Sequence, residues 1–216
     1  MNMYYLQGPG LALWVNKNTW RLTFLVAVVS FLQSCTPAMN FLFGIERIES
    51  FDQEEYQSSL EKLVGQYSGA LSSFVVSKES FINYSNIDTG QSENLRQPIQ
   101  MLYLKDGELQ SFQANCFAKG NIFGQIDWNY NGRFNRYFPI SAVPIESMNM
   151  PLEDVSRELN IDLNINGDVI LFFWTRMLDK ASFHAFKTLI ENIESANLKE
   201  EPQLILVNCD HAFIDI

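Results

Sequence analysis

Two apolar runs with an amphipathic helix between them constrain the fold of this chain more than any other feature. The first run is Val169–Trp174 and the second is Leu204–Asn208. Neither alternates with polar residues, which is typical of strands covered on both faces of a sheet. Residues 180–196 repeat apolar side chains at helical spacing. A strand, a helix and a second strand with this crossover length form a βαβ unit, so we expect parallel strands and a right-handed connection.

Two amphipathic helices are predicted outside this unit. Apolar residues at helical spacing indicate a helix over 52–67, with Ser50 or Asp52 as its N-cap. A shorter helix is expected after Pro151, because proline suits the first turn of a helix. Its inward-facing side chains are predicted to be Leu152, Val155 and Leu159.

Antiparallel hairpins are predicted upstream of the βαβ unit. The β-prone stretches are residues 74–76, 81–84, 101–104, 109–117, 126–130 and 134–138. Asp106 and Gly107 separate one pair of stretches, Asn131 and Gly132 separate another, and such pairs favour a tight hairpin turn. The polar stretch 85–97 is predicted as a surface loop. The fold class is therefore mixed α/β (α+β), with an N-terminal helix and antiparallel hairpins before the C-terminal βαβ unit.

The C-terminal unit resembles the first half of a thioredoxin-like domain. The resemblance is carried by the run 169–175, the helix after it and the stretch 204–210. Extracytoplasmic thiol-disulfide oxidoreductases of that family have Phe-Trp-Ala before a CxxC motif, and Thr175 takes the alanine position here. The two cysteine positions fall near Leu178 and Ala181, so the resemblance implies a member without a thiolate at the helix N-terminus.

The chain reaches Ile216 before the cis-proline segment, the hairpin and the last helix that follow this unit in a thioredoxin-like domain. Two arrangements are open. Either the protein is a truncated or decayed relative, or the βαβ unit joins the upstream antiparallel strands in a mixed sheet. Truncation leaves one side of a strand unpaired, which favours aggregation unless another segment covers it.

An apolar run over 22–32 that leads into Cys35 indicates export and lipidation. Lys17 and Arg21 form its positive flank, and the run is short for a membrane-spanning helix. The sequence Leu32–Cys35 resembles the lipobox of bacterial lipoproteins. That resemblance implies cleavage before Cys35, acylation of this cysteine and a lipid anchor to an envelope membrane, at the periplasmic face of the outer membrane. The alternatives are an uncleaved signal anchor, or a buried apolar helix in which Cys35 is a core cysteine.

The lipoprotein interpretation divides the chain into a signal peptide (1–34), a lipid-anchored tether (35–50), a helix and hairpin region (51–150) and the βαβ region (151–216). The apolar residues Phe41–Phe43 of the tether are expected to dock on the body. The whole chain has a formal net charge of −10, and the signal peptide contains basic residues but no acidic ones. A mature chain of this charge repels phosphate backbones, so nucleic acid is not expected as a partner.

Cys116 and Cys209 are the cysteines beyond Cys35. In an oxidising compartment they have one possible pairing, as a disulfide or as redox thiols, and the alternative is two separate buried thiols. Asp210 and His211 follow Cys209 at the end of the last predicted strand, the edge where α/β folds bind ligands. This makes Cys209 the best candidate for a catalytic thiol, although neighbouring side chains on an extended chain point in different directions.

The second predicted hairpin carries a candidate ligand patch. Trp128, Tyr130 and Arg133 together are suited to stacking sugars or binding a peptide. The structural alternative is an aromatic pair that stabilises an antiparallel ladder.

The sequence contains no CxxC, HExxH, calcium-loop or phosphate-binding glycine motif. No catalytic residue, metal or cofactor is therefore assigned. The sequence predicts a lipid-anchored envelope protein with a binding or structural role, whose partner is an unknown envelope protein or glycan. The competing hypotheses are a thiol-dependent enzyme that uses Cys116 and Cys209, and a glycan or peptide binder that uses the patch at Trp128.

Overall fold

The structure is a computed structural model, and it describes residues 44–65, 67, 69–120, 126–163 and 167–214. The predicted signal peptide, the lipidation site at Cys35 and the docking of Phe41–Phe43 lie outside the described residues. Among the helices within the described ranges, none has the length and apolar character needed to cross a membrane.

The described residues form a mixed α/β fold, as predicted. The helices are α1 (Gln53–Val64), α2 (Lys78–Ser85), α3 (Ser92–Leu95), α4 (Leu152–Leu159) and α5 (Asp179–Ser195). The strands are β1 (Leu71–Val75), β2 (Gln100–Lys105), β3 (Glu108–Ala114), β4 (Lys119–Gly120), β5 (Ile126–Asp127), β6 (Asp168–Trp174) and β7 (Gln203–Asn208). The three helices predicted from the sequence correspond to α1, α4 and α5.

Five strands form one sheet in the order β1-β7-β6-β2-β3. β7 pairs in parallel with both β1 and β6, while β2 pairs antiparallel with β6 and with β3. The βαβ unit therefore joins the upstream hairpin in a mixed sheet, which is the second of the two arrangements left open by the sequence. Both strands of the unit lie inside the sheet, so neither presents an unpaired edge.

The apolar run of β6 supplies both faces of the sheet. Val169, Leu171 and Phe173 are buried in a core that includes residues of α2 and α4. Ile170, Phe172 and Trp174 are buried on the opposite face, in a core with residues of α1 and α5. Complete burial of such a side chain contributes about 1.5–3 kcal/mol relative to exposure, so β6 is the centre of the folded body.

The first predicted hairpin is confirmed. β2 and β3 are joined at Asp106 and Gly107, which have φ angles of 50° and 86°. Two consecutive residues with positive φ are characteristic of a type I′ turn, whose twist matches that of the strands.

The strand predicted at 81–84 is wrong, because these residues belong to α2. The Ser77 side chain caps this helix by accepting from the backbone N–H of Ser80 at 3.0 Å. Tyr84 is completely buried and its ring stacks on Phe173 at 4.7 Å between centroids. Phe81 is buried one helical turn earlier. Capping and packing against the sheet outweigh the β-propensity of this stretch.

The surface loop predicted over 85–97 is only partly correct. The stretch contains α3, and Leu95 of this short helix is completely buried in the core beside α2 and α4.

The second predicted hairpin, at 126–138, does not form. β5 pairs instead with β4, upstream of it. The Asn129 side chain accepts from the backbone N–H of Phe134 at 2.8 Å. Asn192 Nδ2 donates to the backbone oxygens of Phe134 and Arg136 at 2.7 and 3.0 Å. Side-chain hydrogen bonds thus satisfy backbone groups that a ladder would otherwise pair.

Candidate binding site at the carboxyl edge of the sheet

A buried ion pair lies where the parallel strands β6 and β7 end. Arg176 follows β6 by two residues, and Asp210 follows β7 by two residues. The carboxyl ends of parallel strands meet at one edge of a sheet, where α/β folds bind ligands. Asp210 is completely buried and Arg176 is 6% exposed. Burying a charged side chain is strongly unfavourable unless an oppositely charged or hydrogen-bonding group compensates it.

The Asp210 carboxylate is fully engaged. Its Oδ1 accepts from Thr175 Oγ1 at 2.8 Å and from the Arg176 backbone N–H at 2.7 Å. Its Oδ2 accepts from Arg176 Nε at 2.6 Å. Short, charge-assisted hydrogen bonds of this kind fix orientation. Asp210 therefore holds the guanidinium at the edge of the sheet and compensates its charge.

The two terminal nitrogens of the Arg176 guanidinium differ in their hydrogen bonding. Its Nη1 donates to Glu55 Oε2 at 2.5 Å, although the Glu55 side chain is 73% exposed. The Phe51 ring lies 5.7 Å from the guanidinium carbon, and His211 stacks on that ring. Arg176 Nη2 is buried and has no acceptor among the described residues. The guanidinium is therefore held by Asp210 and Glu55, and one of its nitrogens is enclosed without a hydrogen bond.

An open groove of about 750 Å³ lies beside Arg176, lined by the segment that precedes α1, by α1 itself and by the start of α5. Arg47 and Arg176 are its cationic lining residues. The acidic side chains that line it are Glu46, Glu49, Asp52, Glu54, Glu55 and Asp179. Since Asp210 already compensates Arg176, the groove carries a negative field that favours cations.

The segment before α1 is docked against this edge. The backbone N–H of Glu46 donates to the Met177 carbonyl at 2.8 Å, and Ile48 is buried. The described part of the predicted tether, residues 44–50, therefore forms one wall of the groove.

The two candidate thiols are free cysteines in the structure. Cys209 is buried, and its Sγ lies 3.2 Å from the Trp174 carbonyl oxygen. Burial, and secondarily the charge of Asp210, raises the pKa of Cys209 well above its ordinary value. Cys116 is exposed, yet partial desolvation raises its pKa as well. A thiol with a raised pKa holds little thiolate at neutral pH, so neither is an activated nucleophile.

Cys209, Asp210 and His211 do not converge on a common point. The Cys209 thiol donates to backbone carbonyls, the Asp210 carboxylate faces Arg176, and the His211 ring packs on Phe51 at 4.6 Å. The thiol therefore has backbone carbonyls, and not the His211 imidazole, as its hydrogen-bond partners, and the structure shows no thiol–base pair at these residues.

The three residues of the proposed ligand patch differ in burial and in their partners. Trp128 is only 3% exposed, whereas Tyr130 is 38% exposed. The Lys119 Nζ lies 4.8 Å from the Tyr130 ring centroid, and Arg133 Nη1 donates to the Phe117 carbonyl at 3.2 Å. Because the hairpin is absent, Trp128 and Tyr130 do not share a strand face.

The start of α5 is apolar at the two positions where the thioredoxin-like resemblance places sulfur. Leu178 immediately precedes α5, and Ala181 is buried in its first turn. Within the described ranges, no group of three or more His, Cys, Asp or Glu side chains is placed to hold a metal ion.

Sequence reasoning missed the Arg176–Asp210 pair. The sequence does contain an indication of it. Arg176 and Asp210 each follow a predicted strand by two positions, and parallel strands end at the same edge of a sheet. In comparisons with protein-family models, curated proteins and solved structures, no match to this chain is found.

Proposed function

We propose that this protein is a lipid-anchored binding protein of the bacterial cell envelope that carries out no redox chemistry, and that its binding site is the groove beside Arg176. The observation that carries the proposal is the carboxyl edge itself. There Asp210 fixes the buried Arg176, which lines an open groove of about 750 Å³. Edges of this kind are where α/β sheets hold ligands.

The chemistry of the edge favours binding over catalysis. Catalytic thiols need a lowered pKa, and the pKa values of Cys116 and Cys209 are raised. The groove is lined by carboxylates and arginines, which recognise charge and hydrogen-bonding groups. A non-catalytic role also agrees with the apolar residues Leu178 and Ala181, which stand where the thioredoxin-like resemblance places the two redox cysteines.

We propose that the protein is related to thioredoxin-like proteins. In a thioredoxin-like domain the hairpin follows the βαβ unit along the chain, whereas in this protein it precedes the unit. In support, the antiparallel pair β2–β3 lies beside β6, the first strand of that unit, although it precedes β6 along the chain.

The lipid anchor rests on the sequence Leu32–Cys35 and is tested by intact-mass analysis of the membrane fraction. The expected wild-type species is a chain that begins at an acylated Cys35, and the Cys35→Ser variant should lack it. A full-length, unmodified wild-type chain would refute the anchor.

The absence of redox chemistry is tested separately by counting free thiols in the exported protein with and without reductant. We expect two reactive thiols in both samples after denaturation. A reductant-dependent increase from zero to two would show a Cys116–Cys209 disulfide and would favour the redox hypothesis.

A further inference from the structure

We propose that two copies of this chain pair through β1, so that their five-stranded sheets join into one continuous sheet. The proposal goes beyond the groove beside Arg176, because no residue of β1 lines that groove. It concerns the edge of the sheet at β1, which is the opposite edge from β3. Three features lead to it: backbone groups without partners, an edge strand without charge, and a register that two copies satisfy by symmetry.

The first feature is a row of backbone groups that point away from the sheet. The backbone N–H of Val76 donates to the Asn208 carbonyl of β7 at 3.0 Å. Alternate residues of a strand direct their backbone groups to opposite sides, so Leu71, Ser73 and Val75 direct theirs away from β7. None of these N–H and C=O groups has a backbone hydrogen-bond partner in the part of the chain that the structure describes. Such groups are a template for pairing with a further strand.

The two edges of the sheet differ in how far the chain itself covers them. At β3 the Ala142 backbone N–H donates to the Phe112 carbonyl at 2.8 Å, and Ser141 Oγ accepts from the Phe112 N–H at 3.1 Å. Of the five strands in the sheet, all of which the structure describes, β1 is the one without a buried residue. Val75, at its end, is 37% exposed. The described surface is therefore more open at β1 than at β3.

The second feature is the composition of β1, which lacks the residues that keep edge strands apart. Its sequence is Leu-Ser-Ser-Phe-Val, without a charge or a proline, and its register with β7 is continuous. Charged residues, prolines and bulges are the features by which proteins prevent pairing between edges. Because the whole chain has a net charge of −10, two copies repel each other at long range. An uncharged strand lets them approach with the least repulsion.

The described chain begins on a different side of α1 from this edge. Gly44 lies against the first turn of α5. Lys62 of α1 contacts Asp179 at the start of α5 at 2.7 Å, whereas Tyr56 Oη of α1 lies 2.7 Å from Ser73 Oγ in β1. The chain thus enters the described body on the α5 side of α1, away from the outer side of β1. We therefore assign this edge to a second copy.

The third feature is the register, which a two-fold axis satisfies completely. An axis at Ser73 places this residue opposite its own copy and places Leu71 opposite Val75 of the second copy. These are hydrogen-bonded pairs of an antiparallel ladder, in which both residues of a pair exchange their N–H···O bonds. Every outward backbone group of the three residues is then paired. Leu71 and Val75 also become cross-strand neighbours on one face, which covers the exposed valine.

Disulfide formation between introduced cysteines tests this register. The background is the full-length chain with Cys116→Ser, purified in detergent, which lacks the exposed thiol and keeps the buried Cys209. Adding Ser73→Cys places two thiols directly opposite each other, with Cα atoms about 5.5 Å apart, a separation that a disulfide spans. We expect diamide to give a covalent dimer whose linked peptides both contain position 73. The background chain without an added cysteine measures cross-linking through its remaining thiols.

The matched control is Val75→Cys, two positions along the same strand and more exposed. The two-fold axis separates the two copies of this position by about 14 Å, so we expect at least about tenfold less dimer. A mixture of Leu71→Cys chains and Val75→Cys chains should restore the dimer, because these positions face each other across the axis.

Sedimentation velocity of the full-length chain over a concentration series measures the association itself. Val75→Pro removes one outward N–H and no hydrogen bond to β7, and proline is tolerated at such edge positions. It should raise the dissociation constant of the dimer at least about tenfold, since each copy loses a donor. Val75→Ile keeps the N–H and should retain the dimer. Thermal melting of both variants confirms that they are folded.

The other outcomes contradict the proposal. A wild-type chain that sediments as a monomer at every concentration would refute it. Equal cross-linking at positions 73 and 75 would show random collision in place of a fixed register. A dimer that folded Val75→Pro leaves intact would place the contact on another surface.

Discussion

Arg176 Nε donates to Asp210 Oδ2 at 2.6 Å, and the Asp210 side chain has no exposed surface. Removing one partner of a buried ion pair leaves the other charge uncompensated, at a cost of about 3–5 kcal/mol. We therefore expect Asp210→Ala to lower the free energy of unfolding by that amount, measured by urea denaturation at neutral pH.

The matched control for this prediction is Glu55→Ala, because Glu55 contacts the same guanidinium from the exposed side. Exposed ion pairs contribute about 1 kcal/mol or less. Equal losses in the two variants would contradict the view that Asp210, rather than Glu55, holds the arginine.

The two thiols should differ in their reactivity. In a Cys35→Ser background, iodoacetamide at neutral pH should modify Cys116 slowly and leave Cys209 unmodified, because Cys116 is exposed and Cys209 is buried. The raised pKa of Cys116 limits its thiolate, which is the reactive form. Mass spectrometry with and without urea counts the adducts. Rapid modification of Cys209 in the folded protein would refute its burial.

Stability should fall as the pH rises above the ordinary thiol pKa of 9.0. Burial favours the neutral thiol of Cys209, so the folded state retains its proton at pH values where the unfolded chain has lost it. The stabilisation is fully present below the unfolded pKa and is lost as the pH rises towards the higher folded pKa.

The measurement is the urea midpoint between about pH 7 and pH 10 in the wild type and in Cys209→Ala, because tyrosines also begin to ionise near pH 10 and contribute to both proteins alike. Cys209→Ala should show a flatter pH dependence than the wild type, whatever its stability at neutral pH. If the slope of stability against pH is the same in both proteins, burial does not raise the pKa of Cys209.

A side chain at position 107 should lower the free energy of unfolding. The φ of Gly107 is +86°, and an added Cβ would have room, since the nearest atom is Leu152 Cδ2 at 3.8 Å. The cost of Gly107→Ala is therefore backbone strain, about 1–2 kcal/mol in unfolding free energy. Gly120→Ala is the control, because Gly120 has open space and no positive φ. Similar effects of the two substitutions would refute this explanation.

Asn192 should stabilise the segment that replaces the second predicted hairpin. Its amide donates to the carbonyls of Phe134 and Arg136 and accepts from Tyr103 Oη at 3.2 Å. Asn192→Ala leaves these groups unpaired and is expected to cost about 2 kcal/mol. Hydrogen exchange over 129–140 should accelerate more than exchange in β6. Uniform acceleration throughout the protein would argue against a local role.

The sequence was sufficient for elements with a long, unambiguous pattern. β6, α5 and β7 combine buried apolar runs with a crossover of the right length, and both the strand direction and the mixed fold class are confirmed. The Asp106-Gly107 turn was equally direct, because its backbone conformation requires residues of this type.

Elements stabilised by distant partners were not predictable in this way. The strand expected at 81–84 is helical because of a cap at Ser77 and packing on Phe173. The pattern at 126–138 is overridden by Asn192, far along the chain. Arg176 and Asp210 meet only because β6 and β7 end at the same edge of the sheet. The local pattern of apolar residues carries no information about this contact.

The position of β7 between β1 and β6 has a consequence for the order of folding. β1 is synthesised early, yet its partner in the sheet, β7, emerges from the ribosome only after the hairpin, β6 and α5. Pairings between such distant segments close slowly, because the intervening chain must be ordered first. The nascent chain therefore lacks its central parallel pairing during most of translation, and the complete sheet can form only after β7 has been synthesised.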